Sequence, residues 1–447
     1  MSRIRIIITI IVVVLTTLLT GCTGKEPNEI AYVVALGIDS TDDDNYKITI
    51  QYANTTQISG GASESGGKAG SEIVDNVTIE APNIYAGVGL ANNIVSKSFS
   101  MSHAKLIVFS KEVAENGVKD MIETLVRSEE IRPDVFIAVA NTTANDYLTS
   151  VNPEMEVNPA QYYQLIYQKN QLVGIPDGQL REFFTGLYTD NYDSILPIAG
   201  VIEGSGGNSQ NDDKGQSKES QNEGSEGSSE SLDSFESKNS DENEKEKDAE
   251  KNTSKYEYDI KNYVGGETAI EKKNKAEAIG AAVFEKDKMV GELGEVETEI
   301  CKMLKGDYTY SYLTYYNNDT PDIPITVKTT QQKKPKYKID TDKKTVDIEL
   351  YIESDLYSLP ADYNVENKIE DFERDVANYT SSACTEFINS FTKKYNSDIL
   401  KLNEKVKYKF LTNNQYNWFK KNVGWSEYKF SVCTNFKVRR TGLIVRK

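Results

Sequence analysis

The sequence contains little of the side-chain chemistry that metal sites and most catalytic centres need. It has a single histidine, His103, and four cysteines in 447 residues. Zinc sites use histidine and cysteine ligands at short spacings such as C-x-x-C, and the cysteines here show no such spacing. The composition therefore excludes most zinc sites and predicts no catalytic residues, because one histidine and scattered acids cannot supply a nucleophile with its base and orienting group.

Positive charge is also scarce. The chain has 51 lysines and arginines against 69 aspartates and glutamates, a formal charge of −18. Duplex nucleic acid would repel such a surface, which excludes that class of partner. Anionic lipid headgroups would repel it as well, so we expect membrane attachment to come from acyl chains and protein partners and not from a basic patch.

Only the N-terminus carries a long apolar run. Arg3 and Arg5 precede an uncharged stretch from Ile6 to Leu19, followed by the string L-T-G-C that ends at Cys22. The stretch is shorter than the roughly twenty residues a transmembrane helix needs, and the string fits the lipobox of bacterial lipoproteins. We therefore predict a cleaved signal peptide at 1–21 and a diacylglyceryl group on Cys22; the alternative is an ordinary signal peptide with a chance cysteine.

The remaining cysteines are Cys301, Cys384 and Cys433, an odd number without a short-range pattern. A disulfide framework is not implied. We expect three buried apolar thiols, and one disulfide pair is the alternative.

The rest of the chain predicts an α+β protein of three mixed modules. The first, 22–150, alternates strands such as AYVVALGID and KLIVFS with helices, including one from about Ala114 to Ser128. That alternation indicates helices packed on a mixed sheet. The second module, 151–315, is interrupted by an insertion at 204–254.

This insertion contains fourteen acidic residues and six lysines but only Leu232 and Phe235 as large apolar side chains. Such a composition cannot offset the entropy cost of ordering, so the sequence predicts a disordered segment. Strand-like sequences flank it, SILPIAGVIE before and AIGAAVFEK after. We interpret it as a long loop between neighbouring strands, with a charged interaction tail as the alternative.

The third module, 316–447, has the clearest periodicity. In TVDIELYIES every second residue is apolar, which indicates a strand with one buried face. From about Val365 to Asn396 apolar residues recur every three or four positions, which indicates one long amphipathic helix. We predict that this helix packs on an antiparallel sheet whose final strand includes Phe430 and Val438.

Three groups of side chains are candidate sites. Arg127 and Arg132 could dock a partner, or form local ion pairs at a helix end. His103 is expected to be structural because it has no second metal ligand nearby. Four glutamates, placed by the sequence in an exposed turn, are expected to be solvated: Glu292, Glu295, Glu297 and Glu299.

Several landmarks occur in the order found in one known family. They are the lipobox, the strand ending in G-I-D at Asp39, the strand K-I-T-I-Q-Y, R-S-E-E-I-R before DVFIAVA, A-A-V-F-E-K-D-K-M-V-G-E-L and the terminal R-R-T-G. Across some 420 residues the chain resembles the Ger(x)C family, the lipoprotein C subunits of GerA-type spore germinant receptors.

The resemblance implies a subunit without enzymatic activity on the outer face of the inner spore membrane. It would act beside a membrane-spanning A subunit and a transporter-like B subunit, with a small-molecule germinant held by the complex and no cofactor besides the lipid on Cys22. The alternative is a solute-binding lipoprotein that delivers a small ligand to a permease. That class usually has two similar lobes, whereas the modules predicted here are dissimilar.

Overall fold

A computed structural model describes most of the chain outside its N-terminus and the acidic insertion. The described residues are 3–9, 29–43, 45–53, 74–152, 156, 158–168, 174–189, 191–202, 262–268, 274–316, 324–358 and 368–441. The predicted signal peptide beyond residue 9, Cys22 and the insertion at 204–254 lie outside these residues.

Within the described residues the first sheet has nine strands in the order β3-β2-β1-β5-β6-β7-β8-β9, with β4 beside β1. The strands are β1 (Ile30–Ser40), β2 (Tyr46–Ala53), β3 (Val74–Ala81), β4 (Ser98–Ser100), β5 (Leu106–Ser110), β6 (Phe136–Ala140), β7 (Ile195–Val201), β8 (Ala276–Glu285) and β9 (Lys288–Leu293). Strands β1, β5, β6 and β7 are parallel, β4 pairs parallel with β1, and β2, β3, β8 and β9 pair antiparallel with their neighbours. Strands β5 (LIVFS) and β6 (FIAVA) are buried throughout, as central strands covered on both faces must be.

Short helices connect and cover these strands. They are α1 (Ile84–Ala91), α2 (Lys111–Asn116), α3 (Lys119–Val126), α4 (Ala144–Ser150), α5 (Pro159–Tyr167) and α6 (Leu180–Thr189). The single helix predicted from Ala114 to Ser128 is in fact α2 and α3. Gly117 separates them with a φ of +117°, a conformation that only glycine adopts without strain.

The predicted boundary near residue 150 falls inside this sheet. Strand β6 precedes that boundary and β7 follows it, and the two pair in parallel, Val139 opposite Ile198. Strand β7 pairs antiparallel with β8, which confirms that the strands flanking the acidic insertion are sheet neighbours. Sequence reasoning could not join the two regions because parallel pairing leaves no signal in the local sequence.

The second sheet has four strands in the order β10-β11-β12-β13. The strands are β10 (Tyr310–Tyr316), β11 (Pro324–Asp340), β12 (Thr345–Ser358) and β13 (Lys429–Arg440), and the helices of this region are α7 (Glu295–Lys305), α8 (Ile369–Lys394), α9 (Leu402–Val406) and α10 (Asn413–Asn422). Helix α8 packs along the sheet through Phe372, Val376 and Ile388. The α+β fold class is confirmed.

One detail of this sheet differs from the expectation. Strands β10, β11 and β12 are antiparallel, but β13 runs parallel to β12. After β12 the chain runs back across the face of the sheet through α8, so β13 starts at the same end of the sheet as β12. Such a crossover connects parallel strands. Cys433 lies on the outer face of β13 and is exposed, so the prediction of three buried thiols is wrong for it; Cys301 and Cys384 are buried, and all three are free.

A shared hydrophobic core joins the two sheets. Ile195 of β7, Val283 of β8 and Leu293 of β9 lie in one cluster with side chains of the second sheet and of α8, among them Phe430 and Ile388. The second sheet and α8 therefore pack on the β7–β9 end of the first sheet. Polar groups at the rim of this contact form the candidate site.

Candidate interaction site

A cleft of about 530 Å³ opens where the two sheets meet, and we call it the junction cleft. Its walls come from the loop before β7, the β8–β9 turn, the segment after α8, and α10 with the turn that follows it. Its polar and aromatic lining includes Tyr192, Asp193, Lys286, Asp398, Lys420 and Trp425.

Asp193 connects three of these walls. Its Oδ2 accepts a hydrogen bond of 2.8 Å from the backbone N–H of Asp398, and its Oδ1 accepts one of 2.8 Å from that of Lys286. The backbone N–H of Asp193 in turn donates to the carbonyl of Asp398 at 3.2 Å. A carboxylate with backbone N–H donors forms hydrogen bonds stronger than those between neutral groups, so Asp193 fixes the β8–β9 turn to the segment after α8.

Asp398 is buried and holds the start of α9. Its two carboxylate oxygens accept backbone N–H groups of Leu402 and Asn403, both at 2.8 Å. Burial raises the pKa of Asp398 to about 7; Asp193 also raises it, and the two backbone donors lower it. The carboxyl group therefore titrates near neutral pH, in contact with a residue that joins the two sheets.

A lysine and a glutamate form a second bridge beside the cleft. Lys401 Nζ donates to Glu182 Oε1 at 2.8 Å and lies 4.1 Å from the centre of the Tyr192 ring. Burial alone would raise the pKa of Glu182, but Lys305 and Lys401 outweigh it and hold this pKa below its ordinary value. Burial raises the pKa of Tyr192 to about 12. The Lys401–Glu182 ion pair is half-buried, so solvent screens its attraction only in part.

The opposite wall is aromatic. Trp425 Nε1 donates to Asn403 Oδ1 at 3.2 Å, and the Trp425 ring lies 5.9 Å from that of Phe419. Tyr416 Oη and Lys420 Nζ both donate to Asn191 Oδ1, each at 3.2 Å. The cleft thus combines both charge signs with indole and phenol rings, which suits recognition of a polar group.

No group of three His, Cys, Asp or Glu side chains could hold a metal ion within the part of the chain that the structure describes. In the same residues no helix is both long and apolar enough to cross a bilayer.

Arg127 and Arg132, the predicted site residues that the structure describes, do not line this cleft. Cys22 lies outside the described residues, so its lipidation stays a prediction. Arg127 contacts Glu123 at 3.2 Å, and Arg132 contacts both oxygens of Asp134 at 3.0 and 3.1 Å. Both arginines are exposed at the surface, and their role in partner binding stays a prediction.

His103 is exposed just before β5. Its ring packs edge-on against Tyr32, with ring centres 4.8 Å apart, and its Nδ1 lies 3.0 Å from Ser102 Oγ.

The four glutamates do not lie in an exposed turn, and that expectation is wrong. Glu292 is on β9 and pairs with Lys111 at 2.7 Å. The other three are on α7, where Glu297 accepts the backbone N–H of Gly294 at 3.0 Å as part of a capping box. Glu299 is half-buried and accepts a hydrogen bond of 3.3 Å from Tyr308 Oη, and burial raises its pKa to about 7.

Sequence reasoning missed Asp193 and Asp398. An aspartate shortly before a helix is a known N-terminal signal and could have indicated Asp398. The bond between the two joins residues 205 positions apart, and nothing in the local sequence indicates such a contact.

The folded regions on both sides of the insertion match known families. Residues 24–201 match the model described as Spore germination protein N-terminal domain, and residues 279–442 match the one described as Spore germination B3/ GerAC like, C-terminal. Together the two matches cover well over half of the chain. The chain therefore belongs to the GerAC-like family of spore germination proteins.

Individual relatives are distant. Spore germination protein KC of Bacillus subtilis (strain 168) is 26% identical over 176 residues, 36% of this chain and 43% of that protein. The putative spore germination protein YfkR of the same organism is 28% identical over 145 residues, 32% of this chain and 37% of that protein. These matches span less than half the length of each relative. The crystal structure of the GerBC protein aligns with a TM-score of 0.48 at 14% identity, over 90% of this chain and 96% of that one.

Proposed function

We propose that this protein is the C subunit of a GerA-type nutrient germinant receptor, and that it acts by binding and assembly and not by catalysis. The observation that carries the proposal is the pair of family matches, one on each side of the insertion. The junction cleft agrees with it, because the cleft's aspartates are engaged in holding the two sheets together.

The proposed anchor is a diacylglyceryl group on Cys22, which would keep the protein on the outer face of the inner spore membrane. Two acyl chains are enough for stable anchoring. Strand β1 begins at Ile30. A fully extended segment from Cys22 to Ile30 reaches at most about 30 Å, so the anchor would hold the first sheet near the lipid surface.

The proposed partners are the membrane-spanning A and B subunits of the receptor, with a small-molecule germinant held by the complex. The junction cleft is the candidate docking position for a polar segment of a partner. Its walls come from loops of the first sheet and from helices and turns that pack on the second sheet, so an occupant would contact both regions.

The experiment is affinity purification of the tagged full-length protein from detergent-solubilised spore membranes. The proposal expects two integral membrane proteins to co-purify, and it expects Cys22→Ala to lose lipid labelling and leave the membrane fraction. A matched Cys433→Ala variant, which removes an exposed thiol far along the chain, should behave as wild type. Purification of the protein alone, or membrane retention of the Cys22→Ala variant, would contradict the proposal.

A further inference from the structure

The region around α10 exposes apolar side chains that the fold does not use. Leu411 is 94% exposed, Tyr408 78% and Trp418 64%. The two residues that anchor α10 to the core are instead Tyr416 and Phe419. Large exposed apolar side chains that cluster on a surface indicate an interaction site more often than scattered ones do.

Leu411 and Trp418 lie in one shallow groove. The other residues that line it are Lys409, Phe410, Asn414 and Gln415. We call these six residues the α10 patch. It contains no acidic side chain.

The surrounding segment is basic in a strongly acidic protein. Residues 401–422 contain six lysines and one glutamate, whereas the whole chain has a formal charge of −18. Lys407 and Lys421 are exposed, and Lys421 lies one helical turn after Trp418, on the same side of α10. The positive charge is therefore concentrated beside the exposed apolar side chains.

We propose that the α10 patch docks on the anionic surface of the lipid bilayer. Tryptophan and tyrosine favour the membrane–water interface, an exposed leucine can enter the acyl boundary, and lysines beside them attract anionic headgroups. The choice of a bilayer as occupant rests on the proposed function, which places the protein at a membrane. The expectation that no basic patch contributes to membrane attachment rests on the total charge of the chain. The α10 patch is a local exception to that negative charge.

Docking would give the protein a second membrane contact besides the lipid anchor. Lys407 and Lys421 would attract an anionic surface, but two exposed lysines contribute only a modest attraction, so the patch alone would bind weakly. With the anchor in place, the patch would set the orientation of the second sheet relative to the bilayer.

The test uses the chain from Thr23 onward, which lacks the lipidated residue and so separates this inference from the proposed anchor. All three hydrophobic clusters begin at Ala31 or later, so this chain keeps every core residue. Its flotation is measured with vesicles of phosphatidylglycerol and phosphatidylcholine, and with phosphatidylcholine alone. We expect binding to the anionic vesicles only.

Two pairs of variants locate the contact. Leu411→Ser with Trp418→Ser, and Lys407→Gln with Lys421→Gln, should each lower the partition coefficient at least about tenfold. The matched controls are Ile94→Ser with Tyr357→Ser, which are 68% and 60% exposed elsewhere, and Lys119→Gln with Lys393→Gln. The controls should leave binding unchanged, and circular dichroism checks that every variant folds.

Fluorescence gives a direct readout, because Trp418 and Trp425 are the two tryptophans of the chain. In a Trp425→Phe variant, anionic vesicles should shift the Trp418 emission to shorter wavelength, and brominated lipid should quench it. Absence of binding to anionic vesicles, or equal loss in patch and control variants, would overturn the inference. A dimer that Trp418→Ser dissociates would also overturn it, because a second copy would then cover the patch.

Discussion

Replacing Asp193 by alanine should destabilise the contact between the two sheets. The change removes the acceptors of two backbone N–H groups, those of Asp398 and Lys286, each bonded at 2.8 Å. A hydrogen bond to a charged group contributes about 1.5–3 kcal/mol. Two such bonds give an upper limit of about 6 kcal/mol for the loss.

Two effects reduce that limit. Asp193 is only half-buried, so water can accept hydrogen bonds from the backbone N–H groups that lose the carboxylate, and this recovers part of the loss. The negative charge of Asp193 also repels the carboxylate of Asp398 and so raises the pKa of Asp398. Replacing Asp193 by alanine removes this repulsion. We therefore expect Asp193→Ala to lower the free energy of unfolding by about 3 kcal/mol, and Asp193→Asn, which keeps one acceptor, by about half as much.

The assay is urea unfolding followed by circular dichroism and by tryptophan fluorescence. Trp425 lines the junction cleft, so its emission reports on this contact. Asp42→Ala, at an exposed turn position, is the control and should change stability by no more than about 0.5 kcal/mol. If Asp193→Ala destabilises no more than Asp42→Ala does, the carboxylate does not hold the sheets together.

Two further predictions concern Glu299 and Gly291. Because burial raises the pKa of Glu299 from 4.5 to about 7, its contribution to stability is fully present below pH 4.5 and is lost as pH rises through 7. Glu299→Gln should flatten the decline in urea midpoint over that range, and an unchanged slope would contradict this. A Cβ at Gly291 would overlap the Tyr395 ring, so Gly291→Ala should cost about 1–3 kcal/mol. Gly89→Ala is the control, because its added methyl meets no atom within 4 Å, and it should leave the thermal stability unchanged or raise it. An equal loss of stability in Gly291→Ala and Gly89→Ala would refute the overlap with Tyr395.

The sequence predicts well those features whose signal is local. The strict alternation in β12 and the apolar stripe of α8 correspond to a strand with one buried face and to a helix packed on a sheet. Both follow from backbone periodicity, which does not depend on distant residues.

Long-range features were missed for a common reason. The parallel pairing of β13 with β12 and the bond from Asp193 to Asp398 each join residues far apart in the chain. The sequence placed Glu299 in an exposed turn, but in the folded protein it is half-buried on α7 and accepts a hydrogen bond from Tyr308. Burial of a polar group depends on which elements pack on it, and local composition does not encode that.

The most direct test of the account is the germination of spores that lack this gene. Spores of the deletion strain and of a complemented strain are exposed to single nutrient germinants, and germination is followed by loss of optical density. We predict that the deletion strain fails to respond to at least one germinant and that complementation restores the response. Equal responses to every germinant in spores that normally contain the protein would contradict it.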